Sequence, residues 1–123
     1  MTSAQTNHTA VCKSATAPRD TIIEYMYRDA GNYKFYGEFC VSGLLAMYEI
    51  AKYLIHGEYF VPTEIALTSL VPEQMNTDDH LLHEFVSFRY SITERHTMSK
   101  AQFIRLIRKA HETGWFKSIT TNP

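Results

Sequence analysis

The chain has 123 residues, 45% hydrophobic and 20% charged, with a formal net charge of −1. That is one small domain's worth of sequence, and it excludes disorder throughout, collagen and low-complexity architectures. No apolar run reaches the roughly 18 residues of a membrane-spanning helix, and no charged start leads into an apolar stretch, so a cytoplasmic protein is expected.

Residues 1–20 show no period and little hydrophobicity, and they read as a flexible leader. Residues 21–28 (TIIEYMYR) alternate as a strand, and so do residues 33–41 (YKFYGEFCV). The turn formers Asp29, Gly31 and Asn32 between them predict a β-hairpin. Lys34, Tyr36, Glu38 and Cys40 then share one face, and Tyr33, Phe35, Phe39 and Val41 the other. Gly37 sits mid-strand, which suggests a bulge or a close backbone approach.

Leu44, Met47, Tyr48, Ala51, Leu54 and Ile55 fall at helical spacing, so a helix is predicted over 43–56 and ended by Gly57. Pro62 and Pro72 bar a long regular element in 58–77. Residues 82–92 alternate as a third strand, with Val86, Phe88, Tyr90 and Ile92 on one face. His83, Phe85, Ser87 and Arg89 belong to the other. Ser99 stands three residues before Gln102 at capping-box spacing. A second helix is predicted over 100–113, its apolar side formed by Phe103, Ile104, Leu106, Ile107 and Ala110, and Gly114 ends it. Trp115 and Phe116 are expected to fold back onto the core.

The fold class expected is α+β, a small antiparallel sheet with two helices on one face, in the order ββα-β-α. The single domain would span 21–119, with 120–123 a frayed end. Lys34, Tyr36 and Arg89 would look outward from the mixed strand faces.

Two groups of residues carry potential chemistry. Asp78, Asp79, His80, His83 and Glu84 crowd nitrogen and oxygen donors into seven residues, and Asp79, His80, His83 and Glu84 are the candidate ligands for a divalent metal. The spacing of the histidines suits a helical turn and not a strand. The pattern is not that of a zinc protease, and the plainer alternative is local capping. The second group is basic. Residues 1–94 hold six Lys/Arg against twelve Asp/Glu, and residues 95–123 hold six against one. Lys100, Arg105, Arg108 and Lys109 lie opposite the apolar side of the second helix, a stripe suited to phosphates or to an acidic surface. Two cysteines, Cys12 and Cys40, make neither a disulfide framework nor a zinc site. No phosphate loop or nucleophile elbow is present.

The stretches Tyr27-Arg28-Asp29-Ala30-x-Asn32-Tyr33-Lys34, Gly57-Glu58-Tyr59-Phe60-Val61-Pro62 and Asp78-Asp79-His80-x-x-His83-Glu84 resemble a group of small bacterial proteins of unknown function. The likeness covers residues 25–90 and implies bacterial or phage origin, with no activity attached. The expectation is a non-enzymatic interaction protein that needs no cofactor and binds a protein partner or itself. Its candidate surface is Tyr36, Lys34, Arg89, Arg105, Arg108 and Lys109. A metal-dependent hydrolase using 78–84 is the alternative, and a nucleic-acid binder using the basic helix is the third reading. No membrane partner is expected.

Overall fold

A computed structural model describes residues 17–72, 80–92 and 95–115. Strand β1 (Asp20–Arg28) runs down the middle of the sheet. It pairs antiparallel with β2 (Lys34–Ser42) on one side and with β4 (His83–Ser91) on the other. Two short strands lie at the edges. β3 (Tyr59–Phe60) pairs antiparallel with β4, and β5 (Met98–Ser99) pairs parallel with β2. The order is β3-β4-β1-β2-β5, a curled mixed sheet. One helix, α1 (Lys100–Thr113), lies over its inner face.

Turn chemistry sets the hairpin register. Asp29 Oδ1 accepts the Tyr33 N–H at 2.9 Å, and Asn32 takes a left-handed conformation at φ 71° that an Asn side chain tolerates. Arg28 therefore faces Lys34, and the ladder continues without slippage to Asp20 and Ser42. Asp20, read from the sequence as leader, is the first residue of β1 and is buried. Residues 1–16 lie outside the described residues, as do 116–123, including Phe116.

The expected arrangement of two helices on an antiparallel sheet is corrected. Among the described residues α1 is the one helix longer than a turn, and the sheet is mixed and five-stranded. Residues 43–56 form two 3-10 turns, Met47–Glu49 and Ala51–Tyr53. The reason is competition for the backbone. Thr21 Oγ1 donates to the Gly43 carbonyl and accepts the Leu45 N–H. The Leu44 carbonyl accepts from Lys100 Nζ, and the Leu45 carbonyl from the Tyr90 hydroxyl. A helix beginning here needs those carbonyls for its own bonds. The side chains that point inward are consequently Leu45, Ile50 and Leu54, while Leu44 and Tyr48 of the expected stripe are exposed.

A second correction concerns β4. Its register with β1 shifts between Glu24 and Tyr25, where Ser87 faces Glu24 and Phe85 faces Tyr25. Val86 is the extra residue, a β-bulge that resets the alternation. Phe85 and His83 therefore join Phe88 and Tyr90 on the inner face, where strict alternation assigns them to the other. Gly37 is no bulge but a close approach. A Cβ there would lie 3.1 Å from the Tyr25 ring and from Leu70.

The inner face of the sheet is aromatic. Phe60 and Phe85 stack with centroids 4.1 Å apart, and Phe85 meets Phe88 and Phe103 edge-on. Helix α1 starts where the Ser99 hydroxyl accepts the Gln102 N–H at 3.0 Å. It buries Phe103, Ile107 and Ala110 against the sheet and the Pro62–Ile65 turn. Lys100 holds the helix start to Glu49 at 2.8 Å, and that hydrogen bond, with another from the Ala46 N–H, lowers the pKa of the Glu49 carboxyl. At the other end buried Trp115 donates from Nε1 to the Tyr53 carbonyl.

Deleting Val86 removes the bulge and turns His83 and Phe85 outward, so the cooperative unfolding transition is expected to be lost. Val86→Ala keeps the residue count on an exposed site and is expected to cost about 1 kcal/mol or less. Denaturant titration followed by Trp115 fluorescence checks both. A deletion variant with the original midpoint would contradict the role given to the bulge.

Candidate functional site

Three separated stretches meet at the hairpin end of the sheet. Arg28 ends β1 and Asp29 follows it, Tyr59 stands opposite Glu84 across β3 and β4, and His80 and Leu82 lead into β4. Together they line a recess of about 370 Å³. Residues that are far apart in sequence thus converge in space.

Within this region both imidazoles are committed to backbone. His83 is fully buried in contact with the rings of Tyr25, Tyr27 and Phe60. Its Nε2 accepts the Leu70 N–H at 3.1 Å, which fixes the proton on Nδ1, and that nitrogen donates to the Leu81 carbonyl at 3.0 Å. His80 is the opposite tautomer. Its Nδ1 accepts the Leu82 N–H at 3.0 Å, and its Nε2 donates to the Arg28 carbonyl at 2.8 Å. Each ring pins a loop that lacks a sheet partner to the end of the sheet, and Tyr27 packs against both rings.

This placement bears on the candidate ligands. Neither histidine keeps a free nitrogen lone pair, and to hold a metal each must release a backbone N–H. Glu84 lies on the outer face with Met26 as its neighbour, while His83 points inward. Asp78 and Asp79 lie outside the described residues. Among the described residues no group of three His, Cys, Asp or Glu side chains is arranged around a common point.

The candidate interaction residues separate into two sets. Lys34, Tyr36 and Arg89 lie on the outer face of the sheet. Arg105, Arg108 and Lys109 lie on the exposed side of α1, which covers the inner face. The two sets therefore look out from opposite sides of the molecule. Arg89 reaches across β1 to Glu38 at 3.1 Å, with both side chains about half exposed. Cys40 is a buried thiol, and Cys12 lies outside the described residues.

Sequence alternation found Lys34 and Tyr36, but it missed which carboxylates and cations the register places side by side. On the outer face Glu24 stands opposite Glu38, and Arg28 opposite Lys34. Like charges directly opposite destabilise a strand pair. The signal was available only once the turn had fixed the register. Along the same edge Tyr33, Phe35 and Tyr36 are exposed.

No helix of the described residues is long and apolar enough to cross a membrane. No protein-family model, curated protein or solved structure matches the chain.

Burial pushes the His83 imidazole down to about 4, outweighing the Leu81 carbonyl, which favours the charged ring. In the unfolded chain the ring takes a proton near pH 6.5. The folded state therefore binds fewer protons between those values, and stability falls as pH drops from about 6.5 to about 4. The full loss is about 3 kcal/mol, complete below the lower value. Histidine-resolved NMR titration with denaturation at several pH values checks this. A His83 midpoint near 6.5 would contradict it.

Proposed function

We propose that the chain is a non-enzymatic interaction protein that binds polypeptide by strand addition at its sheet edges. The observation that carries this is the open edge of β2. β5 pairs only with Val41 and Ser42, and Thr97 N–H reaches the Cys40 carbonyl. From Lys34 to Phe39 the edge has no strand beside it among the described residues, and it is bordered by exposed aromatic side chains. Long open edges invite a further strand, whose backbone bonds supply affinity and whose alternate side chains supply specificity. Among the described residues β4 is open as well beyond its pairing with β3, from Phe85 to Tyr90, beside a groove formed with Ala46 and Met47. Against the metal-dependent hydrolase alternative stand the two imidazoles of His80 and His83, whose nitrogens all serve the backbone.

Native mass spectrometry of the gently purified chain tests the reading. A retained polypeptide, either another protein or a second copy, is expected, and Tyr36→Lys or Tyr90→Lys is expected to release it. A bare monomer at every concentration would contradict strand addition. A bound ion lost on replacing both His80 and His83 would move the assignment to a metal-dependent hydrolase.

One observation favours a second reading. Arg105, Arg108 and Lys109 are exposed on one side of α1, and no hydrogen bond or ion pair engages their side chains among the described residues. A phosphate backbone fits such a stripe. Anisotropy of a labelled DNA duplex is then expected to show affinity that falls with salt at a log–log slope of roughly −2 to −3, reduced by Arg105→Ala with Arg108→Ala. Affinity that ignores both would exclude it.

A further inference from the structure

We propose that a second copy of this chain occupies the open edge of β2, its own β2 running antiparallel about a two-fold axis at Tyr36. The inference rests on the strand-addition reading and names the occupant of that edge.

Charge carries the assignment. On the outer face the hairpin pairs Arg28 with Lys34 and Glu24 with Glu38, like with like in both rows. Each pair is unfavourable in the isolated chain. Lys34 has no ion-pair partner among the described residues, and Glu38 has only the half-exposed Arg89. The two charges stand at equal distances on either side of Tyr36. An antiparallel copy centred there places Lys34 opposite Glu38 of the second copy, and Glu38 opposite Lys34 of the second copy. One row then reads Arg28, Lys34, then Glu38 and Glu24 of the second copy. The symmetry-related row reads the reverse. Each row keeps its like-charged pairs but gains at its centre a Lys34–Glu38 contact, where cation meets carboxylate.

Shape agrees with the same register. Phe35 faces Gly37 of the second copy, over which that copy's own Tyr25 ring and Leu70 already pack, so Phe35 meets their side chains. Tyr33, 71% exposed, faces Phe39 of the second copy, and the two Tyr36 rings meet at the axis. The open stretch ends at Cys40, where Thr97 occupies the edge. In this register the added strand ends there too, because Asn32 of the second copy already belongs to its turn. The contact is isologous and closes as a dimer, joining two five-stranded sheets into one. Moving the axis by one residue in either direction loses the Lys–Glu matches.

Sedimentation equilibrium of the full chain across a concentration series tests this, with Lys34→Glu, Glu38→Lys and the double variant. Lys34→Glu gives Arg28 a partner within its own hairpin, so that variant is expected to fold at least as well as the parent. It nevertheless sets carboxylate against carboxylate at the interface. Each single variant is expected to weaken the dimer by roughly tenfold or more, and the double variant to restore it, because the charges again oppose. A chain that remains monomeric at all concentrations overturns the second copy. So does a dimer indifferent to the single variants, or one the double variant fails to rescue. If a different polypeptide is retained in native mass spectra while the chain alone stays monomeric, the second copy is overturned and strand addition stands.

Discussion

The extra residue at Val86 sets the terms for the rest of the fold. Without it β4 would present Phe88 and Tyr90 inward at one end and His83 and Phe85 outward at the other. With it all four face the core, and the inner surface of the sheet becomes continuous. Phe85 can then stack on Phe60, which holds the short β3 in place. His83 can tie Leu70 and Leu81 to the sheet from inside. A neutral imidazole suits this task because one nitrogen donates and the other accepts, so a buried ring satisfies two loops at once. A charged ring could not accept, and burial keeps it uncharged.

Elements governed by local chemistry were legible. Two alternating runs around Asp29–Asn32 predict the hairpin, and the Ser99 hydroxyl, Phe103, Ile107 and Gly114 predict α1 with its inward side. Segment 43–56 was not, although its apolar spacing is helical. Thr21, Tyr90 and Lys100, all distant in sequence, engage the backbone that a helix would use. Tertiary bonds of this kind override a weak intrinsic preference. The facing of His83 was equally hidden, since one inserted residue reverses the parity of everything N-terminal to it. The candidate ligands therefore shared a motif in sequence without sharing a role. His83 serves the core, His80 caps the end of the sheet, and Glu84 looks outward.

The outer face of the sheet was half legible. Alternation placed Lys34 and Tyr36 on one face, and the exposed aromatics of the hairpin follow from composition. The uneven distribution of charge along the chain pointed instead to the body and the C-terminal helix as complementary surfaces. Glu24 and Glu38 on the outer face and the exposed cations of α1 look out from opposite sides of the molecule, so a contact between them would be heterologous and would not close on itself by a two-fold. The informative charges lie closer together. Arg28 with Lys34, and Glu24 with Glu38, are poor neighbours inside one hairpin, and in the proposed register Lys34 and Glu38 gain each other as good neighbours across two. Stability forgone in the isolated chain thus favours one register of association over its slips.

Isotope-filtered NOE spectroscopy tests that register most directly. An equal mixture of labelled and unlabelled chain reports only contacts between copies. Contacts from Lys34 to Glu38 and from Phe35 to Gly37 are the predicted result. Inter-copy contacts confined to Val86 and Tyr90, or to the arginines of α1, would contradict it.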